Sequence, residues 1–516
     1  MRRRWVLVAA TAVVVIAAAT GVWLVTSDGE PVRPATAFGR VVPAPVSAIA
    51  TEGVSFTVPV SATIITAADS PEAAQVGEYL ADLIGGTVGA GSGPEAGALS
   101  LLIDPAIEGE AYELDIAADG LTIRAGTGAG LFWGVQTLRQ LMPARPDAAF
   151  VLPGGRITDQ PRFAYRGVML DVARHFFDVA EVQRLVDLAA LYKVNYLHLH
   201  LSDDQGWRIE IEGWPRLTSY GGGTEVGDGS GGYFTASDYQ QIVAYAASRF
   251  MTVVPEIDLP GHTNAALASY PELNCDGVAP PRYTGINVGF SALCPTRDET
   301  YTFLADVIGE LAAATPGPYL HIGGDEAPEL SRDEYTTIVT RAQELVAAHG
   351  KTAVGWHDLA GAQPSTTTVL QFWGTDSFAE GAAEAAAAGN RFIMSPANRA
   401  YLDQKYDRGD PLGLSWAGPT TVEESYDWDP AQVLSDVEEA SVLGVEAPLW
   451  TETVTTVDEY EYLVFPRLAA IAEIGWSQVQ NHDWSAFRQR LGAQAPLWTA
   501  LDIDFARVDG IPWATA

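Results

Sequence analysis

After Pro161 the sequence repeats one pattern eight times: a short apolar run of the β-branched and aromatic residues that strands favour, then a longer connecting stretch. The runs cover residues 167–170, 196–201, 252–257, 319–322, 352–356, 368–372, 392–395 and 445–450, and helical periodicity falls between them at 182–192, 236–249, 301–314 and 333–348. Strands buried on both faces read as continuous apolar runs, and parallel neighbours need a helical crossover. Eight such repeats therefore predict a (β/α)8 TIM barrel over residues 161–516. A barrel of this kind carries its chemistry on the loops that follow the strands, so the polar residues ending each run are read first.

At 516 residues the chain exceeds what one core usually serves. Residues 38–160 carry strand-like runs at 55–60, 99–103, 112–116 and 121–125, an Asp119-Gly120 turn and a helical stretch at 131–141, which predict a small α+β domain. With no paired carboxylates and no histidine cluster, that domain reads as structural support. Residues 1–37 hold Arg2, Arg3 and Arg4 before an uncharged apolar run at 5–25, which predicts an export signal or a membrane anchor. Ala35-Thr36-Ala37 offers a small-residue cleavage pattern, and no Cys follows the run to accept a lipid. In an exported chain Cys275 and Cys294, flanking a Pro- and Gly-rich loop, read as a disulfide. A formal charge of −35 repels phosphate backbones and anionic lipid, so the expected partner is neutral, nucleic acid is excluded, and membrane contact is left to the N-terminal run.

The run ending His321-Ile322-Gly323-Gly324-Asp325-Glu326 sets two adjacent carboxylates at a strand's C-terminal end. Like charges held together raise one pKa, which predicts a protonated acid beside an ionised partner. Glycosidic cleavage needs such an acid for the leaving oxygen. Glu256 to His262 ends the third run, and His198 and His200 precede Asp203 and Asp204 at the second. A relay in which Asp203 fixes His262 and His262 tunes Glu326 suits a group that gives and retakes a proton. Single histidines on strands are usually core residues, and His198, His321 and His357 are read so. Trp356, Trp373 and Trp450 recur near later strand ends, with Trp416 and Trp428 in loops, and indole faces suit the C–H faces of sugars. Tyr401 and Asp403, two apart in an extended segment, would point the same way.

Together these motifs resemble glycoside hydrolase family 20, the β-N-acetylhexosaminidases and chitobiases. The matching stretches are 166–176, 198–207, 255–262, 321–326, Gly355-Trp356, 401–403 and 446–452. The resemblance implies a retaining exo-β-N-acetylhexosaminidase acting on terminal β-linked N-acetylglucosamine or N-acetylgalactosamine of an oligosaccharide or glycan. The substrate's own acetamido oxygen serves as nucleophile through an oxazolinium intermediate, with no metal or other cofactor. It assigns Glu326 as general acid/base, Asp325 and Tyr401 to the acetamido group, and Asp203 and His262 to the supporting relay. Trp356, Trp373 and Trp450 become aromatic walls, and Arg174, Asp403 and Glu452 the hydroxyl-binding groups. It also implies the Cys275–Cys294 bridge. Two readings from other classes stand beside it: a metal-dependent barrel hydrolase built on His198 and His200, and a carbohydrate-binding protein without turnover.

Overall fold

The computed structural model describes residues 37–515. The export run at 5–25, and Ala35 and Thr36 of the cleavage pattern, lie outside the described residues. Strands β1 (Ser47–Val58), β2 (Thr63–Ala67), β3 (Thr87–Gly91), β4 (Leu99–Ile103), β5 (Tyr112–Ala117), β6 (Gly120–Ala125) and β7 (Phe150–Asp159) form one sheet in the order β1-β7-β5-β6-β4-β2-β3. It is antiparallel from β1 to β6 and parallel from β6 to β3. The first strand lies earlier than the sequence suggested, at Ser47–Val58 rather than 55–60. Strands β2, β3 and β7 were not anticipated, because β3 is a half-exposed, glycine-rich edge and Gly154 and Gly155 interrupt β7. The helix Gly128–Leu141 is buried nearly all round, as its apolar sequence requires. Phe132 packs on Phe250 and Trp133 on Trp476, which joins the small domain to the rest.

Strands β8 (Tyr165–Asp171), β9 (Tyr196–His200), β10 (Thr252–Glu256), β11 (Tyr319–His321), β12 (Thr352–Trp356), β13 (Val369–Phe372), β14 (Arg391–Met394) and β15 (Val442–Leu449) close into a parallel barrel in sequence order. Capping boxes at Asp178, Thr235 and Ser331 start three of the covering helices. The expected strand–helix repeat fails once. Between β12 and β13 the chain makes only the 3₁₀ segment His357–Ala362, since the connection is short and Pro364 follows at once. Cys275 and Cys294 are disulfide-bonded and close the loop between β10 and β11.

The barrel interior keeps one layer of the usual branched aliphatics, Val254, Val354, Val369, Ile393 and Leu443, and the rest of it is different. Tyr165, Tyr196 and Tyr319 pack together at its N-terminal end. Above them lie His198, His200, His321, Glu256, Glu446 and Gln371, all fully buried. Gly167 is required here by close approach: a Cβ would stand 2.5 Å from a Glu446 carboxylate oxygen.

The seam between the domains is also polar. Lys193, fully buried, donates to Asp159 Oδ2 at 2.8 Å and to Tyr112 Oη at 3.0 Å, with its ammonium 4.3 Å from the Trp476 ring centroid. Tyr112 Oη and Trp476 Nε1 also donate to Asp159. Burial holds the Lys193 pKa below its ordinary value, and Asp159 opposes that shift. Asp159→Asn leaves the buried ammonium without its counter-ion and should cost about 3–5 kcal/mol, read as a lower Tm at pH 7. A lysine with a depressed folded pKa gains stability as pH rises toward its unfolded value of about 10.4, so the deficit should narrow in alkali. A deficit independent of pH would place the loss elsewhere than on Lys193.

Candidate active site

After β11 the chain turns through Gly323 and Gly324, both at positive φ, into Asp325 and Glu326. At Gly323 a Cβ would fall 1.7 Å from Asp258 Oδ1, so no other residue fits. Glu326 itself lies at φ 44° and His262 at φ 54°. Left-handed backbone at such residues costs on the order of 1–3 kcal/mol each and persists where the surroundings impose it. Here it aims two side chains at one point: His262 Nε2 lies 3.5 Å from both Asp325 Oδ2 and Glu326 Oε2.

Behind His262 runs a chain of buried groups. Its Nδ1 is 3.2 Å from Asp203 Oδ1, and Asp203 Oδ2 lies 2.9 Å from His200 Nε2 and 2.7 Å from the Arg174 guanidinium. The Arg174 and His262 charges, with hydrogen bonds from the two imidazoles, outweigh burial and hold Asp203 well below the ordinary carboxylate range. Burial opposes protonation of His262, yet Asp203 and Asp325 raise its pKa well above normal. The relay read from the sequence is thus assembled, with His262 facing both carboxylates rather than Glu326 alone.

The cavity above this chain, about 360 Å³, is lined by Arg174, His262, Ile286, Val288, Asp325, Glu326, Trp373, Tyr401, Asp403, Leu414, Trp416, Trp450 and Glu452. Four of its aromatic rings stand as a box: Tyr401 is 6.2 Å from Trp450 and 5.9 Å from Trp416, and Trp416 is 6.0 Å from Trp373. Trp373 Nε1 donates to Asp358 Oδ2 at 3.0 Å. The Arg174 guanidinium sits 4.8 Å from the Trp450 ring centroid. A larger cavity of about 490 Å³ beside Tyr406, Trp484 and Arg507 shares none of these residues.

The polar atoms of this wall are short of partners. Among the described residues, Asp325 Oδ1, Asp403 Oδ1, Glu452 Oε2, Arg174 Nε and His262 Nε2 are buried without a hydrogen-bond partner in the protein. Burial first, and then neighbouring carboxylates, pushes Asp403 up to about 8 and raises Glu452. Buried polar groups are nearly always bonded, so a cluster left unbonded around one cavity is built for a ligand that brings its own hydroxyls and amide.

The structure corrects the sequence reading at three points. The carboxyl that burial pushes up, to about 7, is that of Asp325, whose side chain is 13% exposed; Glu326, 38% exposed, stands at the open side. Trp356 does not line the cavity: it is 1% exposed and lies behind Trp450, with ring centroids 5.8 Å apart. His198 and His200 are not presented as a ligand pair. His198 Nδ1 bonds Glu446 at 2.9 Å, and the two His200 nitrogens bond Glu256 and Asp203 at 2.6 and 2.9 Å, so the two rings turn to different carboxylates. Glu446 and Glu256 raise the His198 pKa to about 9 against the effect of burial. Arg174, Trp373, Tyr401, Asp403, Trp450 and Glu452 come together as expected. Ile286, Val288 and Leu414, loop residues with no chemical signature in the sequence, complete the wall.

Residues 163–479 match "Glycosyl hydrolase family 20, catalytic domain" and residues 39–160 match "Glycosyl hydrolase family 20, domain 2". The chain is 41% identical to a β-N-acetylhexosaminidase of Cellulomonas fimi, covering 92% of this chain and 97% of that protein. A β-hexosaminidase of Porphyromonas gingivalis is 36% identical across 78% of this chain and 55% of its own length. Among solved structures, the Streptomyces plicatus N-acetyl-β-hexosaminidase in complex with Thio-NAglucal superposes with a TM-score of 0.90 at 52% identity, covering 94% of this chain and 99% of that one. Two matched domains that together account for most of the chain, with a site assembled at the C-terminal ends of the barrel strands, identify this protein as a member of glycosyl hydrolase family 20.

Proposed function

We propose that this protein is a retaining exo-β-N-acetylhexosaminidase that removes a terminal β-linked N-acetylhexosamine by substrate-assisted catalysis. The observation that carries this reading is the set of buried, unbonded polar atoms on Arg174, Asp325, Asp403 and Glu452 around a cavity of about one sugar ring, boxed by Trp373, Trp416, Tyr401 and Trp450. The C. fimi relative supports the activity, and a solved S. plicatus variant is described in complex with the product GlcNAc.

In this reading Arg174, Asp403 and Glu452 bind the ring hydroxyls, and Tyr401 donates to the acetamido carbonyl oxygen. Asp325 accepts the acetamido N–H. The carbonyl oxygen attacks the anomeric carbon as the bond to the leaving oxygen breaks. Glu326, at the open side, gives that oxygen its proton. The oxazolinium so formed carries positive charge beside ionised Asp325, and water activated by Glu326 then opens it with net retention. Holding the nucleophile within the substrate removes much of the entropic barrier, with effective molarities of about 10⁵ M or more in well-oriented cases. The exposed side chains of Ile286 and Val288 beside Glu326 favour an uncharged leaving group. The N-terminal apolar run and the disulfide support action outside the cytoplasm. Cell fractionation should find the activity in the medium or on the outer face of the membrane, and a cytosolic pool would overturn that placement.

The first test compares release of p-nitrophenol from the β-N-acetylglucosaminide and from the plain β-glucoside. Hydrolysis of only the former is expected; equal rates would require a nucleophile on the protein. Asp325 supplies the second. It must be ionised to work, so kcat/KM, which reports the free enzyme, should fall as pH drops through about 7. The bound acetamido N–H favours the ionised form, which moves the matching limb of kcat to lower pH. Asp325→Asn should lower kcat by about 10²–10³ and remove that limb. A carboxyl with a raised folded pKa loses stability as pH rises from its unfolded value toward its folded one. The Tm of the Asn variant relative to the native chain should therefore climb between about pH 4 and 7 and level off above. A constant Tm difference would mean that Asp325 is not held protonated in the empty site.

A further inference from the structure

Glu256 is the last residue of β10, fully buried, and its carboxylate is faced by four ring nitrogens. Oε1 accepts from Trp356 Nε1 at 3.0 Å and lies 2.9 Å from His321 Nδ1. Oε2 lies 2.6 Å from His200 Nδ1 and 2.9 Å from His198 Nε2. Two of these contacts are hydrogen bonds, those of Trp356 and His200, while His198 Nε2 stands close without bonding geometry and His321 Nδ1 accepts from the Gly323 N–H.

Two routes lead from it to the cavity. One passes through Trp356, whose indole backs Trp450, which in turn lines the cavity against Tyr401 and under Arg174. The other passes through His200 and Asp203 to His262, the imidazole that faces Asp325 and Glu326. The His200 ring also packs edge-on against Trp450 at 4.8 Å, so the routes brace each other.

We propose that Glu256 is a positioning residue for the reaction: one buried carboxylate that holds Trp356 beneath the Trp450 wall of the acetamido pocket and, through His200 and Asp203, sets the orientation of His262. This rests on the substrate-assisted reading, because the wall it supports is the one assigned to the acetamido group. The glutamine isostere exposes the role. In one orientation of its amide the NH₂ group is set against the Trp356 N–H, which breaks that link; in the other, His200 must give up its Nδ1 proton to accept from it, which ends the ion pairing of the second route.

The test uses the full chain and p-nitrophenyl glucosaminides carrying N-acetyl or N-propionyl groups. A loss of fold integrity alone would reduce turnover of both equally, whereas a loosened wall admits the larger acyl group. Glu256→Gln should reduce kcat for the N-acetyl substrate by about 100-fold with KM changed far less, and should lower the preference for N-acetyl over N-propionyl. Trp356→Phe, which removes the indole N–H and keeps every charge, should lower that preference too. The double variant should show no further drop in preference, since both changes break one link. Should Glu256→Gln not fold, Glu256→Asp, ionised but one methylene shorter, is read in its place. Unchanged preference in the folded variants, or losses of preference that multiply in the double variant, would overturn the proposal. A native enzyme that does not distinguish the N-acetylglucosaminide from the glucoside would overturn the underlying reading instead.

Discussion

The buried alternation of carboxylates and imidazoles along the barrel axis is the constraint on which the site depends. Glu446, His198, Glu256, His200, Asp203 and His262 follow one another at 2.6–3.2 Å. Glu256 and Glu446 are held below their ordinary pKa by the imidazoles, Asp203 by Arg174 and then by the imidazoles, and the three imidazoles are raised by the carboxylates, in each case against burial. Each such ion alone would cost several kcal/mol to bury, so no member is dispensable without stranding its neighbour. Tyr165 closes the column from below by donating to Glu446 at 2.6 Å. A polar core so interlocked gives up hydrophobic stabilisation but leaves its uppermost members, Asp203 and His262, with almost no freedom of orientation, which is what a preorganised site requires.

Above that column the electrostatics change sign. Asp258, Asp325, Asp403 and Glu452 are all raised, chiefly by burial. The cation at hand, Arg174, is already committed to Asp203 and Asp171. These carboxyls are left in an environment that opposes their ionised forms, and the protein bears that cost at one cavity. Hydroxyl and amide donors of a neutral ligand relieve it, whereas a phosphate or carboxylate ligand would worsen it. The charge of −35, which in the sequence only excluded anionic partners, thus has a local counterpart in the pocket.

The sequence made the barrel legible because its strands are buried on both faces and their ends carry the reactive groups. The pair Asp325-Glu326, and Tyr401 with Asp403, could be found because chemistry required them together. What stayed hidden has a common physical cause, which is that partners distant in the chain decide the meaning of a residue. His198 on its strand reads as an isolated core histidine, and only the closure of the barrel brings Glu446 and Glu256 to its two nitrogens. Trp356 reads as a wall residue from its place at a strand end, but depth is set by Trp450 in front of it. Burial likewise assigned the raised pKa of the carboxylate pair to Asp325, which spacing alone could not do. Strands β3 and β7 escaped because glycine replaces the apolar signal where backbones run close or at an edge.

The depth of the cavity accounts for attack at a chain end. Arg174 and Asp403, 3% and 1% exposed, lie at the buried end, and Glu326 stands at the open one. In the proposed mechanism the bond protonated by Glu326 lies beside it, so the sugar that donates the anomeric carbon occupies the space between Glu326 and the buried end. In about 360 Å³ lined by four aromatic side chains there is room for one ring and its acetamido group. Hydroxyls on the far side of that ring meet Asp403, Glu452 and Arg174 rather than an exit, so a further sugar attached there would collide with groups that the column below holds in place. The rigidity that orients His262 and Asp325 for one transition state is therefore the same rigidity that admits only a terminal residue.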